Sequence, residues 1–118
     1  MSFWWDIWDA VKRLFNGFVR VIKRIIVGIL NFAKDVVRWF KNLNLNPRRH
    51  TPFVINAKNL KDIIADAPVV NCGIFAGVYD NESETITESE IIEADKLDSK
   101  TRDILSSADA KDGLVVLN

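Results

Sequence analysis

Apolar residues recur at alternating spacings of four and three along the first forty positions of this 118-residue chain. No proline interrupts residues 3–41. A helical period held over such a length predicts one continuous amphipathic helix over residues 1–42. Its apolar face, widened at the front by the second tryptophan, consists of Trp4, Trp5, Trp8, Val11, Phe15, Phe18, Ile22, Ile25, Ile29, Phe32, Val36 and Trp39.

The opposite side of the predicted helix is basic. With flanking rows included, the apolar face covers roughly 160° of the circumference, which is wider than a two-stranded coiled-coil seam. A face of this width predicts a membrane surface, a multi-helix bundle or a large protein groove as its partner. Gly17 and Gly28 are candidate kinks, which leaves two shorter helices as an alternative. The basic face consists of Arg13, Arg20, Lys23, Arg24, Lys34, Arg38 and Lys41.

A membrane-spanning arrangement fits this segment poorly. The longest uncharged run in the N-terminal half covers residues 25–33, nine residues, where roughly 20 are needed to cross the hydrocarbon core. As one rod the helix would be about 60 Å long, about twice the thickness of that core. We therefore expect it to lie along a membrane surface or against other helices.

Charge divides the chain into two unlike halves. Residues 1–49 carry ten basic and three acidic side chains, a net charge of +7, whereas residues 50–118 carry six basic and thirteen acidic ones, a net charge of −7. This asymmetry predicts an anionic partner for the N-terminal half: anionic lipid, an acidic protein or, as a weaker alternative, nucleic acid. The other interpretation is that the two halves attract each other, within one chain or between copies.

The C-terminal half predicts a small acidic domain at residues 53–118, after a linker at residues 43–52 that contains Pro47, His50 and Pro52. The overall fold class is α+β, a long N-terminal amphipathic helix followed by this domain with a three-stranded, mostly antiparallel sheet. The predicted elements are a short extended segment at 53–55, a helix at 59–65, a hairpin of strands 69–80 and 85–94, a helix at 99–107 capped by Asp98, and a last strand at 114–117.

The sequence offers no arrangement that would support catalysis. Cys72 falls on the apolar face of the predicted strand, where we expect a buried structural thiol, and we expect His50 to be solvated in the linker. The glutamates between residues 82 and 93 lack the glycine-containing pattern of a calcium loop. We therefore expect no enzymatic activity, no metal and no cofactor.

Three phrases of the acidic half carry a resemblance: CGIFAGVYD, IEADKLDSKTRDIL and GLVVLN. Together they resemble small uncharacterised proteins encoded by bacteriophages of gut bacteria, over residues 46–118. The resemblance implies a component of the virion or of phage assembly, and it supplies no active site. With a single cysteine and no basic start typical of a secretory signal, we expect a cytoplasmic or membrane-peripheral protein, or one carried in a virion.

These observations favour a non-enzymatic structural or anchoring protein. Its amphipathic helix would dock on an anionic membrane surface or into an oligomeric assembly with copies of itself or a larger protein partner, while the acidic domain would make further protein contacts. The alternatives are a minor structural component of a phage virion packed as a homo-oligomeric helical bundle, and a basic helix that binds nucleic acid.

Overall fold

The computed structural model describes residues 3–16, 22–65, 67–107 and 113–117. The named elements are α1 (Phe3–Asn16), β1 (Lys23–Leu30), α2 (Arg38–Lys41), β2 (His50–Asn56), α3 (Leu60–Ile63), β3 (Gly73–Asp80), β4 (Thr85–Leu97), α4 (Ser99–Leu105) and β5 (Leu114–Val116). A π-helical segment, Phe32–Val37, leads directly into α2, and β2 leads through a 3₁₀ turn, Ala57–Asn59, into α3.

The described strands form one mixed five-stranded sheet in the order β1-β4-β3-β2-β5. Strand β1 runs parallel to β4, and the other neighbouring pairs are antiparallel. The predicted hairpin between β3 and β4 is confirmed, and the α+β class holds. The sheet has five described strands where the sequence predicted three, because the N-terminal half supplies β1 and the short extended segment predicted at 53–55 belongs to a paired strand, β2.

The prediction of one continuous helix over residues 1–42 is wrong. Residues 23–30 form a strand, with an unshifted parallel register from Lys23 opposite Glu90 to Leu30 opposite Leu97. The physical reason lies in KRIIVGIL, where three consecutive β-branched residues favour a strand over a helix, and the glycine that follows them, Gly28, disfavours a helix. The kink proposed at Gly28 therefore falls inside β1, while Gly17 lies outside the described residues.

Helices and turns cover both faces of the sheet. Alternate residues of each strand point to opposite faces, so Phe53 and Phe75 belong to one core and Val54 and Ile74 to another. The first core is covered by α1 together with the α3 segment. The second is covered by residues 32–41 and α4. Strand β3 is consequently buried along its whole length.

Asp98 links the two segments that cover the second core, α4 and the π-helical segment. The predicted helix cap is confirmed, because the Asp98 carboxylate accepts a hydrogen bond from the backbone N–H of Thr101 at 2.9 Å. Its other oxygen accepts from the N–H of Phe32 at 3.0 Å. Burial acts to raise the pKa of Asp98, but the hydrogen bonds from Thr101 and Phe32 outweigh it and lower the pKa. One carboxylate therefore caps α4 and the π-helical segment together.

Substitution of two tryptophans of α1, one buried and one exposed, tests whether α1 packs on the first core. Trp8 is 1% exposed, whereas Trp5 is 58% exposed. We expect Trp8→Ala to lower the free energy of unfolding by about 3–5 kcal/mol, because it opens a large cavity in the first core. Trp5→Ala, the matched control, should change it by no more than about 0.5 kcal/mol. Urea unfolding followed by circular dichroism measures both, and equal stability of the two variants would contradict the packing of α1 on the sheet.

Candidate interaction surface

The residues of the predicted apolar face are divided between the two faces of the sheet. On α1, Trp8 and Val11 are buried in the first core, and Trp4 and Phe15 pack against it. Ile22 also packs on the first core, whereas Ile25, Phe32, Val36 and Trp39 pack in or against the second. Trp5 and Ile29 are the two members that remain largely exposed among those described. Phe18 lies outside the described residues. The expected single face therefore does not form.

The predicted basic face is also dispersed. Arg24 makes a two-pronged ion pair with Glu93, at 2.8 and 3.2 Å, and the ammonium of Lys23 lies 3.7 Å from the carboxylate of Glu90. Arg13 donates to the backbone carbonyl of Glu84 at 2.8 Å. The described remainder, Lys34, Arg38 and Lys41, is exposed beyond β1, and Arg20 lies outside the described residues. Several cations of the basic half thus meet groups of the acidic half within the chain.

A polar cluster at the β2–β3 end of the sheet shows the same attraction. The buried carboxylate of Asp80 accepts from Arg49 Nε at 2.8 Å and from the backbone N–H groups of Glu82 and Ser83 at 2.9 and 3.2 Å. Arg49 also reaches Glu82 at 2.9 Å. Burial acts to raise the pKa of Asp80, but these hydrogen bonds and the arginine charge lower it overall. The cluster fixes the turn that connects β3 to β4.

His50 and Cys72 differ from their predicted settings. His50 is the half-buried first residue of β2, and its Nδ1 accepts from the N–H of Asn46 at 3.0 Å, so it is structured and not a solvated linker residue. Cys72 precedes β3 and is half-buried. Within the described part of the chain, no three histidine, cysteine or acidic side chains come together as a metal site would require.

The open edge of β1 is the surface feature that the sequence did not predict. β1 ends the sheet on one side, and β5 ends it on the other with three residues. Ile26 and Ile29 of β1 are 75% and 59% exposed. An edge strand is usually protected by charges, proline or bulges, but residues 25–30 contain none of these. The uninterrupted run of β-branched residues was the available signal for this strand.

One hydrogen bond shows which backbone N–H and C=O groups of β1 point towards β4 and which point away from it. Asp98 N–H donates to the carbonyl of Leu30 at 2.9 Å and so continues the β1–β4 ladder. In a parallel ladder alternate residues direct both backbone groups to the same neighbour, and the register is constant along β1. Arg24, Ile26, Gly28 and Leu30 therefore face β4. The N–H and C=O groups of Ile25, Val27 and Ile29 therefore face outwards, on the side where β1 has no neighbour among the described strands.

No protein-family model, curated protein or solved structure matches the chain. Of the helices that the structure describes, none combines the length and the apolar character needed to cross a membrane.

Acid unfolding should report on the Asp80 cluster. The pKa of Asp80 is lower in the folded chain than its ordinary value of 3.8, so its contribution to stability is present above that value and is lost as the pH falls through the folded-state pKa. We expect Asp80→Asn to destabilise the protein at pH 7 and to flatten the fall in stability below about pH 4. Glu82→Gln, which alters an exposed partner of Arg49, is the control. The midpoint of urea unfolding, measured from pH 7 to pH 2.5, tests this expectation. If the midpoint of Asp80→Asn falls with pH as it does in the wild-type chain, the Asp80 carboxylate does not make this contribution to stability.

Proposed function

We propose that this chain is a non-enzymatic structural protein that docks into an oligomeric assembly through the open edge of β1. The observation that carries the proposal is the combination of outward backbone groups with exposed Ile26 and Ile29 on an edge without protecting residues. Such an edge gains hydrogen bonds and buries apolar area when another strand is added to it. An assembly component of a virion, as the resemblance of the acidic half implies, would require contacts of this kind.

A protein partner is favoured over a bilayer by where the apolar side chains lie. Most of the described apolar face predicted from the sequence packs within the chain's own two cores. Among the described residues, four large apolar side chains are exposed, and they do not share one helix: Trp5, Ile26, Ile29 and Val69. A membrane-surface helix needs a continuous apolar face beside a basic one. Strand addition needs only the edge of β1.

The basic residues of β1 do not oppose such docking. Lys23 and Arg24 lie at the start of the strand, and each meets a carboxylate of β4. Edge lysines discourage pairing when their charges face the incoming strand. Here the carboxylates of Glu90 and Glu93 offset the two positive charges, so the central and final part of β1 stays open to an apolar strand.

Solution mass and vesicle flotation test the proposal together. We expect the wild-type chain to self-associate as its concentration rises and to remain with the protein fraction when anionic or neutral vesicles float. Ile26→Lys/Ile29→Lys should shift association to at least about tenfold higher concentration, because it places charge at the apolar edge. Val69→Lys, which alters an exposed apolar residue outside the described strands, is the matched control and should associate like wild type.

Two outcomes would contradict the proposal. A wild-type chain that stays monomeric at all concentrations would remove self-assembly as its mode of action. A monomer that floats with anionic vesicles, and loses this binding at high salt, would favour the membrane-surface interpretation instead. Unfolding curves of all three proteins establish that the lysine variants remain folded.

A further inference from the structure

We infer that the partner of β1 is the β1 strand of a second copy, paired antiparallel about a two-fold axis at Val27, so that two sheets join into one of ten strands. This inference rests on the proposed function and adds the identity, direction and register of the partner. It follows from three properties of β1: its outward backbone groups, the order of its side chains and the position of its charges.

The outward backbone groups restrict the register. When two edges pair, outward-facing residues must lie opposite outward-facing residues. With the axis at Val27, Val27 faces its own copy and Ile25 faces Ile29 of the second copy, in both directions. These residues bring together β-branched side chains, which are favourable cross-strand pairs. Ile29, exposed in the single chain, is covered by this pairing.

The other face of the paired strands fits equally well. Ile26 lies opposite Gly28 of the second copy. A Cβ built on Gly28 would have no atom within 4 Å, so open space surrounds the glycine and can receive the exposed Ile26 side chain. Two neighbouring registers are also allowed. An axis at Gly28 would place Ile25 opposite Asn31, beyond the end of β1. An axis at Ile26 would place Lys23 opposite Ile29 and Arg24 opposite Gly28. That register leaves the exposed Ile29 side chain beside an exposed lysine. With the axis at Val27, Ile29 meets Ile25, and Arg24 lies opposite Leu30, whose side chain is buried in its own chain, so the axis at Val27 is favoured.

Charge favours the antiparallel direction. In this register Arg24 and its counterpart in the second copy are six strand positions apart, about 20 Å, which exceeds the screening length of about 8 Å at physiological ionic strength. A parallel pairing of the same strands would bring the like charges to within about 5 Å of each other. Arg24 also retains its partner Glu93 in its own chain.

Disulfide formation between two single-cysteine variants tests direction and register. Ile26→Cys and Gly28→Cys are each made in a Cys72→Ser background, which removes the remaining thiol, and are given tags of different mass. The inferred pairing sets residues 26 and 28 opposite each other in a non-hydrogen-bonded pair with Cα atoms about 4.5 Å apart, which suits a disulfide. Residue 26 would lie about 8 Å from its own copy, which does not. We expect the mixture to give a heterodimeric disulfide at least about tenfold faster than either variant alone.

The results separate the inference from the proposed function. Cross-linking of Ile26→Cys with itself as fast as in the mixture would overturn the Val27 register in favour of an axis at Ile26, and the same result for Gly28→Cys would overturn it in favour of an axis at Gly28. Absence of cross-linking in the mixture, while the wild-type chain still self-associates, would overturn the β1–β1 pairing and leave docking into an assembly intact. A monomeric wild-type chain would overturn both.

Hydrogen exchange on the unmodified chain gives a second measurement that needs no variant. The amides of Ile25, Val27 and Ile29 face outwards and should exchange at least about tenfold more slowly at a concentration where the chain is associated than at one where it is dissociated. The amides of Arg24, Ile26 and Gly28 face β4 and should be protected at both concentrations, which makes them an internal control. Outward amides that exchange equally fast in the associated protein would overturn the pairing.

Discussion

Parallel pairing between β1 and β4 determines how the N-terminal part of this chain is used. It draws Lys23–Leu30 into the sheet of the C-terminal half. The chain before β1 then contributes α1 to one face of the sheet, and the chain after it contributes residues 32–41 to the other. Asp98 reinforces the junction through bonds to Leu30 and Phe32. The position of β1 in the sheet thus leads the chain from one face, which α1 covers, to the other, which residues 32–41 cover.

The opposite charges of the two halves are best understood from this pairing. Lys23 and Arg24 of the basic half meet Glu90 and Glu93 of the acidic half, and Arg49 meets Asp80 in the turn after β3. Pairs whose cations are exposed, as in Lys23–Glu90 and Arg24–Glu93, contribute little to stability individually. Their consequence is geometric, because they align β1 on β4 and offset the charge beside the open edge. The positive charge of the N-terminal half and the negative charge of the C-terminal half therefore meet, in part, in ion pairs within the folded chain.

Local patterns predicted the C-terminal half well and the N-terminal half poorly, for physical reasons. The β3–β4 hairpin and the Asp98 cap depend on neighbouring residues and could be predicted. Spacings of three and four fit a helix, but the run at residues 25–27 equally suits a strand that packs on one face and is exposed on the other. Only a partner 67 positions away, in β4, decides between them, and no local pattern reports such a contact. The open edge could not be predicted because it exists only after that pairing.

The same pairing creates the surface to which we assign the function, since a strand that completes one sheet also leaves a new edge exposed. Its existence can be tested directly by the backbone carbon chemical shifts of residues 23–30 together with nuclear Overhauser contacts between β1 and β4. The parallel pairing of β1 with β4 predicts strand-type shifts and contacts between Ile25 and Ile92, which the register places opposite each other. Helical shifts running without interruption from residue 3 to residue 41, with no contact to β4, would contradict it.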